Sequence, residues 1–301
     1  MKKQLLAAAV AASMATVATA DISISGVAKA NVTNGNSTIE ADIKIVGKAD
    51  ATSVVANLSL DKGMNKGSAS SHTTSASGVA TATDSTATDA MVEDLYVTSS
   101  FEGINIKAGE WRSLKSELDQ TTDAVTRYNL STKVGGVGIA FEDNGTTSDV
   151  TVSGSIAGVS LKHKIKNNAN SDSETWISGS VAGVDFAWNE EDTANVKSTA
   201  TTLGATVGGI GIKYVKIDSD EANGVASDGY VGKGDYKDAS ALGVSASVAG
   251  NKVTIKAIDE DGTDSNKVIL TRPMSGATFE ATYTDKDGNN DTLDLELAVK
   301  F

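Results

Sequence analysis

The chain has no cysteine and a single proline, and both absences constrain the fold. Without cysteine no disulfide can hold an exported domain together. Proline removes a donor from a β-ladder, so its near absence suits a chain built mostly of strands. There are only two histidines, His72 and His163, so a histidine-based catalytic triad or a Cys/His metal cluster is not expected.

Nucleotide-binding motifs and a basic surface are also missing. The sequence has neither the GxGxxG fingerprint of dinucleotide sites nor a GxxxxGK[ST] phosphate loop. We therefore predict that the protein is not an enzyme and carries no cofactor. It has 26 basic and 39 acidic residues, a formal net charge of -13, which argues against nucleic acid as a partner.

The first twenty residues are typical of a secretory signal peptide. Lys2 and Lys3 precede an apolar run that closes on Ala18-Thr19-Ala20, which predicts cleavage before Asp21. No later apolar stretch approaches the roughly 20 residues that a spanning helix needs. The predicted organisation is a signal peptide over residues 1–20 and one exported domain over residues 21–301.

Strict alternation of apolar and polar residues runs through that domain. In the last nine residues, "LDLELAVKF", every second side chain is apolar, so the segment has the period of a strand with one apolar face. About 18 segments share this pattern: 21–32, 39–46, 51–60, 91–100, 103–109, 127–134, 136–142, 149–156, 159–166, 174–182, 184–189, 198–207, 210–217, 240–248, 251–258, 266–271, 277–284 and 292–301.

The connections between these segments alternate between two kinds. One is a short turn around glycine, such as "FEGI", "VGGVG" or "VAGVD". The other is long and polar, such as "EDNGTTSD", "NEEDTANVK" from Asn189, "DEDGTDSN" from Asp259, or the stretch from Asp218 to Asp238. This asymmetry is typical of an all-β transmembrane antiparallel barrel, with short periplasmic turns, long outside loops and a polar lumen. We predict 16 to 18 strands, with the first and last strands paired to close the sheet.

In this layout the chain resembles the Gram-negative general, trimeric outer-membrane porins. The phrase "VEDLYVTSSFEGINIKAGEW" is similar to that family's approach to an outside loop that folds inward and narrows the pore. The resemblance places this constriction loop at residues 110–124, and it matches the family's C-terminal phenylalanine, which the outer-membrane assembly machinery recognises, to Phe301. It also implies a homotrimer embedded in lipid bilayer and lipopolysaccharide, which passes small hydrophilic solutes and ions by passive diffusion.

The site residues follow from the same layout. The constriction loop would present Glu110, Arg112, Lys115, Glu117, Asp119 and Asp123. Strand alternation assigns Lys29, Lys44, Lys107, Lys162, Lys164, Lys213, Lys256, Lys300, Glu40 and Asp42 to the lumen wall, with Asp294 and Glu296. Loop acids facing wall lysines would create a transverse electric field, although each charge also fits a merely solvated position.

Two polar loops have open interpretations. "DKDGNND" sets oxygens at alternate positions, on Asp285, Asp287, Asn289 and Asp291, a weak candidate for calcium without the full 12-residue spacing, so we predict no metal site. The Ser/Thr/Ala-rich segment 62–89 would be the second outside loop, either a latch onto a neighbouring subunit or a mobile loop.

Two other hypotheses compete with an open porin. A secreted or surface-layer β protein, structural or adhesive, is favoured by the low aromatic content of 5%. An 18-stranded barrel selective for one substrate would need aromatic residues in the lumen, which the pattern does not show. The pattern places the aromatics of the strands near strand ends or on outer faces: Tyr128, Phe141, Trp176, Trp188, Tyr214, Tyr283 and Phe301.

Overall fold

The computed structural model describes residues 21–33, 36–64, 89–112, 118, 124–167, 172–193, 196–220 and 225–301. The predicted signal peptide and most of segment 62–89 lie outside these residues. In the described part of the chain, no helix is long and apolar enough to cross a membrane.

The described residues form twenty strands, which are numbered here in chain order. They are β1 Asp21–Thr33, β2 Asn36–Ala49, β3 Thr52–Met64, β4 Asp89–Phe101, β5 Ile104–Trp111, β6 Val125–Val134, β7 Val137–Asp143, β8 Ser148–Ile156, β9 Val159–Asn167, β10 Ser173–Val181, β11 Val184–Thr193, β12 Val196–Val207, β13 Ile210–Ser219, β14 Val225–Asp228, β15 Lys233–Tyr236, β16 Asp238–Val248, β17 Asn251–Glu260, β18 Thr263–Met274, β19 Ala277–Lys286 and β20 Thr292–Lys300.

Eighteen of the strands form one closed antiparallel sheet. Each pairs with its neighbours along the chain, β13 pairs directly with β16, and β14 with β15 make a separate hairpin. The sheet closes where β1 meets β20, and there the amides of Gly26 and Phe301 each donate to the other's carbonyl at 2.9 and 3.1 Å. Closure leaves no unpaired edge, which a sheet in lipid requires. The predicted membrane-spanning barrel is confirmed, with 18 strands.

Eight two-residue turns lie at one end of the barrel, which we call the turn end, and the opposite end is the loop end. The turns are residues 50–51, 102–103, 135–136, 157–158, 182–183, 208–209, 249–250 and 275–276. Tight hairpin turns that match the strand twist need positive φ at their central residues. Gly135 and Gly136 have φ of +58° and +88°, and in the next turn Ala157 is held at +50° before Gly158 at +82°.

At the loop end, the prediction of a long loop is wrong for two connections, because both are short. The stretch from Asn189 belongs to β11 and β12, which leave only residues 194–195 between them, and the stretch from Asp259 is a tight turn between β17 and β18. Asp261 and Gly262 have φ of +53° and +81°, and the carboxylate of Asp259 accepts from the Gly262 amide at 2.8 Å. Polar composition does not end a strand whose ladder continues past the membrane, so the sequence pattern ended these strands too early.

The outer face of the barrel is an exposed apolar band. On strand after strand the same alternation leaves large apolar side chains open, for example Ile212 on β13, Ile255 on β17 and Leu297 on β20. The charged residues Glu110 and Lys216 of this face lie seven residues beyond the nearest turn glycine, while Arg272 lies at the turn end itself, four residues before Gly276. Seven residues tilted by about 40° rise roughly 18 Å, so with the turns the band approaches the height of a bilayer's apolar layer.

The barrel is too wide for its own side chains to fill. Eighteen strands spaced about 4.8 Å apart and tilted by about 40° enclose a radius of roughly 18 Å. The inner space therefore holds either water or polypeptide that folds in from the loops.

Candidate functional site

The ladder register assigns one alternation of every strand to the inner face. Directly paired residues share a face, and the pairs can be followed around the whole barrel, with one register shift at a β-bulge in β4, where Asn57 pairs with Asp94 and Leu58 with Val92. The face opposite the apolar band carries Lys29, Lys44, Lys107, Lys162, Lys164, Lys213, Lys256, Lys300, Glu40, Asp42, Asp294 and Glu296. These are the residues that the sequence pattern assigns to the lumen wall.

A hairpin that the sequence pattern does not predict folds into the lumen. It consists of β14 and β15, which lie in the long connection between β13 and β16. Between the two strands Val231 is fully buried, and Tyr236 at the end of β15 is 5% exposed. Both pack with the inner-face residues Val215, Ile217, Ala239, Ala241 and Ile258. The hairpin therefore covers the inner wall of β13, β16 and β17 and reduces the open cross-section.

Leu118, the one described residue between Arg112 and Ala124, packs into the same cluster. It is 3% exposed and joins Ala200 and the hairpin residues. In the chain Leu118 lies between β5 and β6, whereas the cluster lies on β12 to β17. Leu118 thus contacts a part of the wall remote from the strands that carry its segment.

Tyr230 anchors the hairpin between two wall lysines. The ammonium of Lys256 lies 3.8 Å from the ring centroid and that of Lys213 lies 4.2 Å from it, which are cation–π distances. Lys256 also donates to the Tyr230 carbonyl at 3.3 Å. The ring sits over Gly243, where an added Cβ would lie 1.8 Å from the tyrosine hydroxyl oxygen. Glycine in the interior of β16 therefore permits this close approach.

Two further lysines of the wall lie over aromatic rings. Lys107 is 3.8 Å from the ring centroid of Tyr96 and 4.1 Å from that of Trp111, and these two rings meet edge to face. Lys162 is 3.8 Å from the ring centroid of Trp176. The inner face thus carries aromatic residues, and Trp176, which the sequence pattern places near a strand end or on an outer face, lies near the start of β10 with its parity inward. Trp176 pairs with the inner-face residues Lys162 and Asn189, so its side chain shares their face. The small polar residues of this strand give no clear alternation, so the sequence pattern does not reveal which face Trp176 occupies.

Ion pairs concentrate towards the loop end of the wall. Lys164 contacts Asp149 at 2.8 Å, while Lys166 contacts Glu174 at 2.7 Å and Glu191 at 3.1 Å. On the opposite side of β7, Arg127 contacts Glu142 at 2.8 Å and donates to the Trp111 carbonyl at 3.0 Å. Such paired charges are held in fixed positions and partly cancel one another's field.

The predicted constriction residues are only partly placed. Lys115, Glu117, Asp119 and Asp123 lie outside the described residues. Glu110 belongs to β5 and shares the outer parity of Ile104 and Ile106, so its assignment to the constriction is wrong. The predicted strand ends at residue 109, whereas β5 continues for two more residues to Trp111. As a result Trp111, and not Glu110, points inward.

Arg112 is held on the wall from which its segment starts. Its guanidinium contacts Glu93 at 2.8 Å, and its backbone amide donates to Asp94 at 2.7 Å. Asp94 also accepts from the side-chain amide of Asn57 at 2.5 Å. Arg112 therefore holds the end of β5 against the first half of β4.

No group of three or more possible metal ligands occurs among the described residues, and this includes Asp285, Asp287 and Asp291. The carboxylate of Asp291 instead accepts from the Tyr283 hydroxyl at 2.5 Å. The alternation of oxygens in this sequence reflects a turn between β19 and β20.

A cavity of about 590 Å³ lies between the hairpin and the turn-end wall. The cavity is lined by Lys213, Lys252, Lys256 and Tyr230, together with Asp185 and Glu280.

Tyr236, at the end of β15, is a neutral hydrogen-bond donor. Burial, and then the neighbouring Glu260, raise the pKa of the Tyr236 phenol far above its usual range, so this phenol stays neutral. Its hydroxyl donates to Glu260 at 3.3 Å.

Two signals in the sequence could have revealed the hairpin. The connection from Asp218 to Asp238 is longer than most structureless loops in compact domains, which favours a role for it. Within this polar stretch Tyr230, Val231 and Tyr236 are large or apolar, and Gly243 interrupts the next strand. A loop with buried anchors opposite a strand glycine fits inward folding.

The chain matches no protein-family model and no curated protein sequence. Its backbone is similar to several solved structures at low sequence identity. Pseudomonas aeruginosa OpdK, solved with vanillate, superposes with a TM-score of 0.62 at 9% identity, covering 93% of this chain and 98% of that one. Acinetobacter baumannii OccAB2 superposes with a TM-score of 0.61 at 8% identity, covering 93% of this chain and 98% of that one. A mutant of the Rh. blastica porin superposes with a TM-score of 0.58 at 10% identity, covering 93% of this chain and 100% of that one. These similarities show a shared porin-type barrel fold.

Proposed function

We propose that this protein is an outer-membrane porin of a Gram-negative bacterium, which lets small hydrophilic solutes and ions diffuse passively through a water-filled lumen. The observation that carries the proposal is the division of one closed sheet into an exposed apolar outer face and a charged inner face. A charged, lysine-rich interior of roughly 18 Å radius favours water and ions over a packed core. We propose no catalytic role and no cofactor.

The direct test is single-channel conductance of refolded protein in a planar bilayer. Protein that runs anomalously on a gel until it is boiled is folded, and such protein should give discrete conducting steps. A KCl gradient then gives the ion preference from the reversal potential. Silence from folded, inserted protein would contradict the porin proposal.

The outer band argues against a secreted or surface-layer coat protein. Side chains such as Ile22, Ile156 and Val207 are more than half exposed and lie all around the barrel, which is unfavourable in water and suitable in lipid. Extraction should therefore require detergent. Release of folded protein by salt or urea without detergent would favour the coat hypothesis.

Oligomeric state and assembly are further parts of the proposal. By resemblance we propose a homotrimer in lipid and lipopolysaccharide, which would conduct in groups of three steps. Phe301 directly follows β20, and its ring lies over Gly26 on the outer face. Deleting Phe301 should lower the amount of barrel in outer membranes through loss of recognition by the assembly machinery, while refolding in detergent stays efficient. Equal losses in both would mean that Phe301 only stabilises the fold.

Selectivity for one solute is a second candidate function, and the lysine–aromatic contacts of the lumen favour it. Tyr96, Trp111, Trp176 and Tyr230 lie on or against the inner wall, where the sequence pattern shows none. Liposome swelling compares the candidates, with a neutral sugar and vanillate as probes. Faster entry of vanillate than of a sugar of similar size would favour selectivity, and entry ordered by size alone would favour the general porin.

A further inference from the structure

The charges of the inner face are not distributed evenly along the barrel axis. The eight turns of the turn end join successive strand pairs, so the number of residues between a side chain and the turn of this set on its strand measures its height on the wall. Inner-face charges can therefore be compared from strand to strand. Only described side chains are included.

Close to the turn end, the inner face is basic. Within four residues of a turn, the described inner-face cations are Lys48, Lys107, Lys133, Lys162, Lys213 and Lys252. The described inner-face carboxylates at this height are Asp185 and Glu280, with Asp21 at the start of β1. Cations outnumber anions there by about two to one.

Towards the loop end the balance reverses. Eight or more residues from a turn, or level with such residues on β1 and β20, the described inner-face carboxylates are Glu40, Asp42, Asp94, Asp149, Glu174, Glu191, Glu260 and Asp294. The described cations at this height are Lys29, Arg127, Lys166, Lys267 and Lys286. Lys300 on β20 is level with Val27 of β1 and, through it, with Asp42 of β2. Lys44, Lys164 and Lys256 lie between the two regions, with Glu142 and Glu296.

Three turn-end lysines occupy equivalent positions. Lys107, Lys162 and Lys213 each lie four residues beyond a turn glycine, on β5, β9 and β13, and each has its ammonium over an aromatic ring. The rings restrict the ammonium groups to one side of the wall, so the positive charge is fixed in place. At 0.1 M salt the Debye length is about 10 Å, so these charges act well into the lumen, whereas at 1 M it is about 3 Å.

We propose that the lumen is electrically bipolar along its axis, basic at the turn end and acidic at the loop end, and that it therefore rectifies ionic current and concentrates small anions at the turn end. This inference rests on the proposed channel function. When the loop end is positive, cations leave the acidic region and anions leave the basic region towards the middle of the pore, so both accumulate and conductance rises. The opposite polarity depletes both ions and lowers the conductance.

The test is the ratio of single-channel currents at opposite voltages in symmetric KCl. In 0.1 M salt we expect the current with the loop end positive to be about 1.5 to 3 times the reverse current, and the ratio to approach about 1 in 1 M salt because of screening. Since the chain has no cysteine, Ser275→Cys in the turn 275–276 gives a unique attachment point at the turn end. A bulky membrane-impermeant thiol reagent added to one compartment then reports the orientation of each channel.

Matched charge variants separate the lumen from the rest of the surface. The triple variant Lys107→Gln, Lys162→Gln, Lys213→Gln removes three turn-end charges and should abolish most of the rectification. The control Lys197→Gln, Lys216→Gln, Lys237→Gln removes equal charge outside the lumen wall and should leave the ratio unchanged. Heat-modifiable migration confirms that both variants fold.

Each outcome bears on a different claim. Folded protein that conducts equally in both directions at 0.1 M overturns the bipolar lumen and leaves the channel proposal intact. Folded protein that does not conduct overturns the channel itself. Rectification that persists at 1 M salt, or that the control variant reduces as strongly as the lumen variant, would assign the asymmetry to something other than wall charge and overturn the inference.

Discussion

The close approach of Tyr230 to Gly243 gives a sharp test of the inward hairpin. In Gly243→Ala the new Cβ would lie 1.8 Å from the Tyr230 hydroxyl oxygen and 3.0 Å from the ring carbon that bears it. Carbon atoms pack at about 3.5 Å or more, so the ring must move by roughly 1.5 Å and leave one or both lysines. Alanine suits a strand better than glycine by about 0.5–1 kcal/mol, so the barrel itself is not weakened.

The expected cost falls on the docking of the hairpin. Overpacking of this kind costs about 1–3 kcal/mol, which raises the population of the undocked hairpin by roughly 5- to 150-fold. Amide hydrogen exchange over residues 225–236 of the folded protein should accelerate by that factor, and single-channel conductance should rise as the obstruction leaves the wall. Heat-modifiable migration should stay as in the parent protein.

A second substitution decides whether the contact is the cause. In Gly243→Ala with Tyr230→Phe the hydroxyl is gone and the nearest ring carbon lies 3.0 Å away, so a shift of a few tenths of an ångström suffices. Most of the protection should return, because phenylalanine keeps the ring between the lysines. Unchanged exchange in Gly243→Ala, or no recovery in the double variant, would refute the placement of Tyr230 against this wall.

Three further expectations follow from the structure. Leu118→Ala removes a side chain that is 3% exposed and should weaken docking of its segment by about 2–5 kcal/mol, seen as higher or noisier conductance with an intact barrel; unchanged conductance would contradict its role as an anchor. Val152→Lys on the exposed outer face should cost about 2–4 kcal/mol in urea titrations in lipid, whereas Thr151→Lys on the inner face should cost little; equal costs would contradict the assigned parity. Ala182 has a φ of +52°, so Ala182→Gly should stabilise the barrel by up to about 1 kcal/mol, while Gly183→Ala, at +81°, should destabilise it by a similar amount in the same titration.

The turn-end lysines oppose the ion preference that the net charge of the chain implies. A chain of net charge -13 suggests a cation-selective channel, yet the described inner face is basic near the turns. Ion preference in a narrow pore depends on the charges that line it, and screening removes the effect of distant ones. The acidic excess at the loop end and the basic turn end act on different parts of the path.

The amino-acid sequence by itself determined the repeating part of this protein. A period of two, repeated 18 times and punctuated by X-Gly turns, specified the strands, the inner face and the lysines on it, because alternation and turn geometry are local properties of the chain. The resemblance to porins predicted a constriction loop at residues 110–124, which stays a prediction, and between Arg112 and Ala124 the structure describes Leu118 alone, packed against inner-face residues. Strand ends were less well determined, as Glu110 and the turn at Asp261 show, because ladder pairing continues as long as a neighbouring strand is available.

Only the tertiary structure decided what fills and partners the inner face. Tyr230, from a connection remote in the chain, rests on Gly243 between Lys213 and Lys256, and Trp176 turns inward to Lys162. Both contacts depend on strand register and join residues far apart in sequence. No periodicity encodes such contacts. Closure of the sheet fixes the height and side of every lysine at once, and the axial distribution of charge exists only after β1 has met β20.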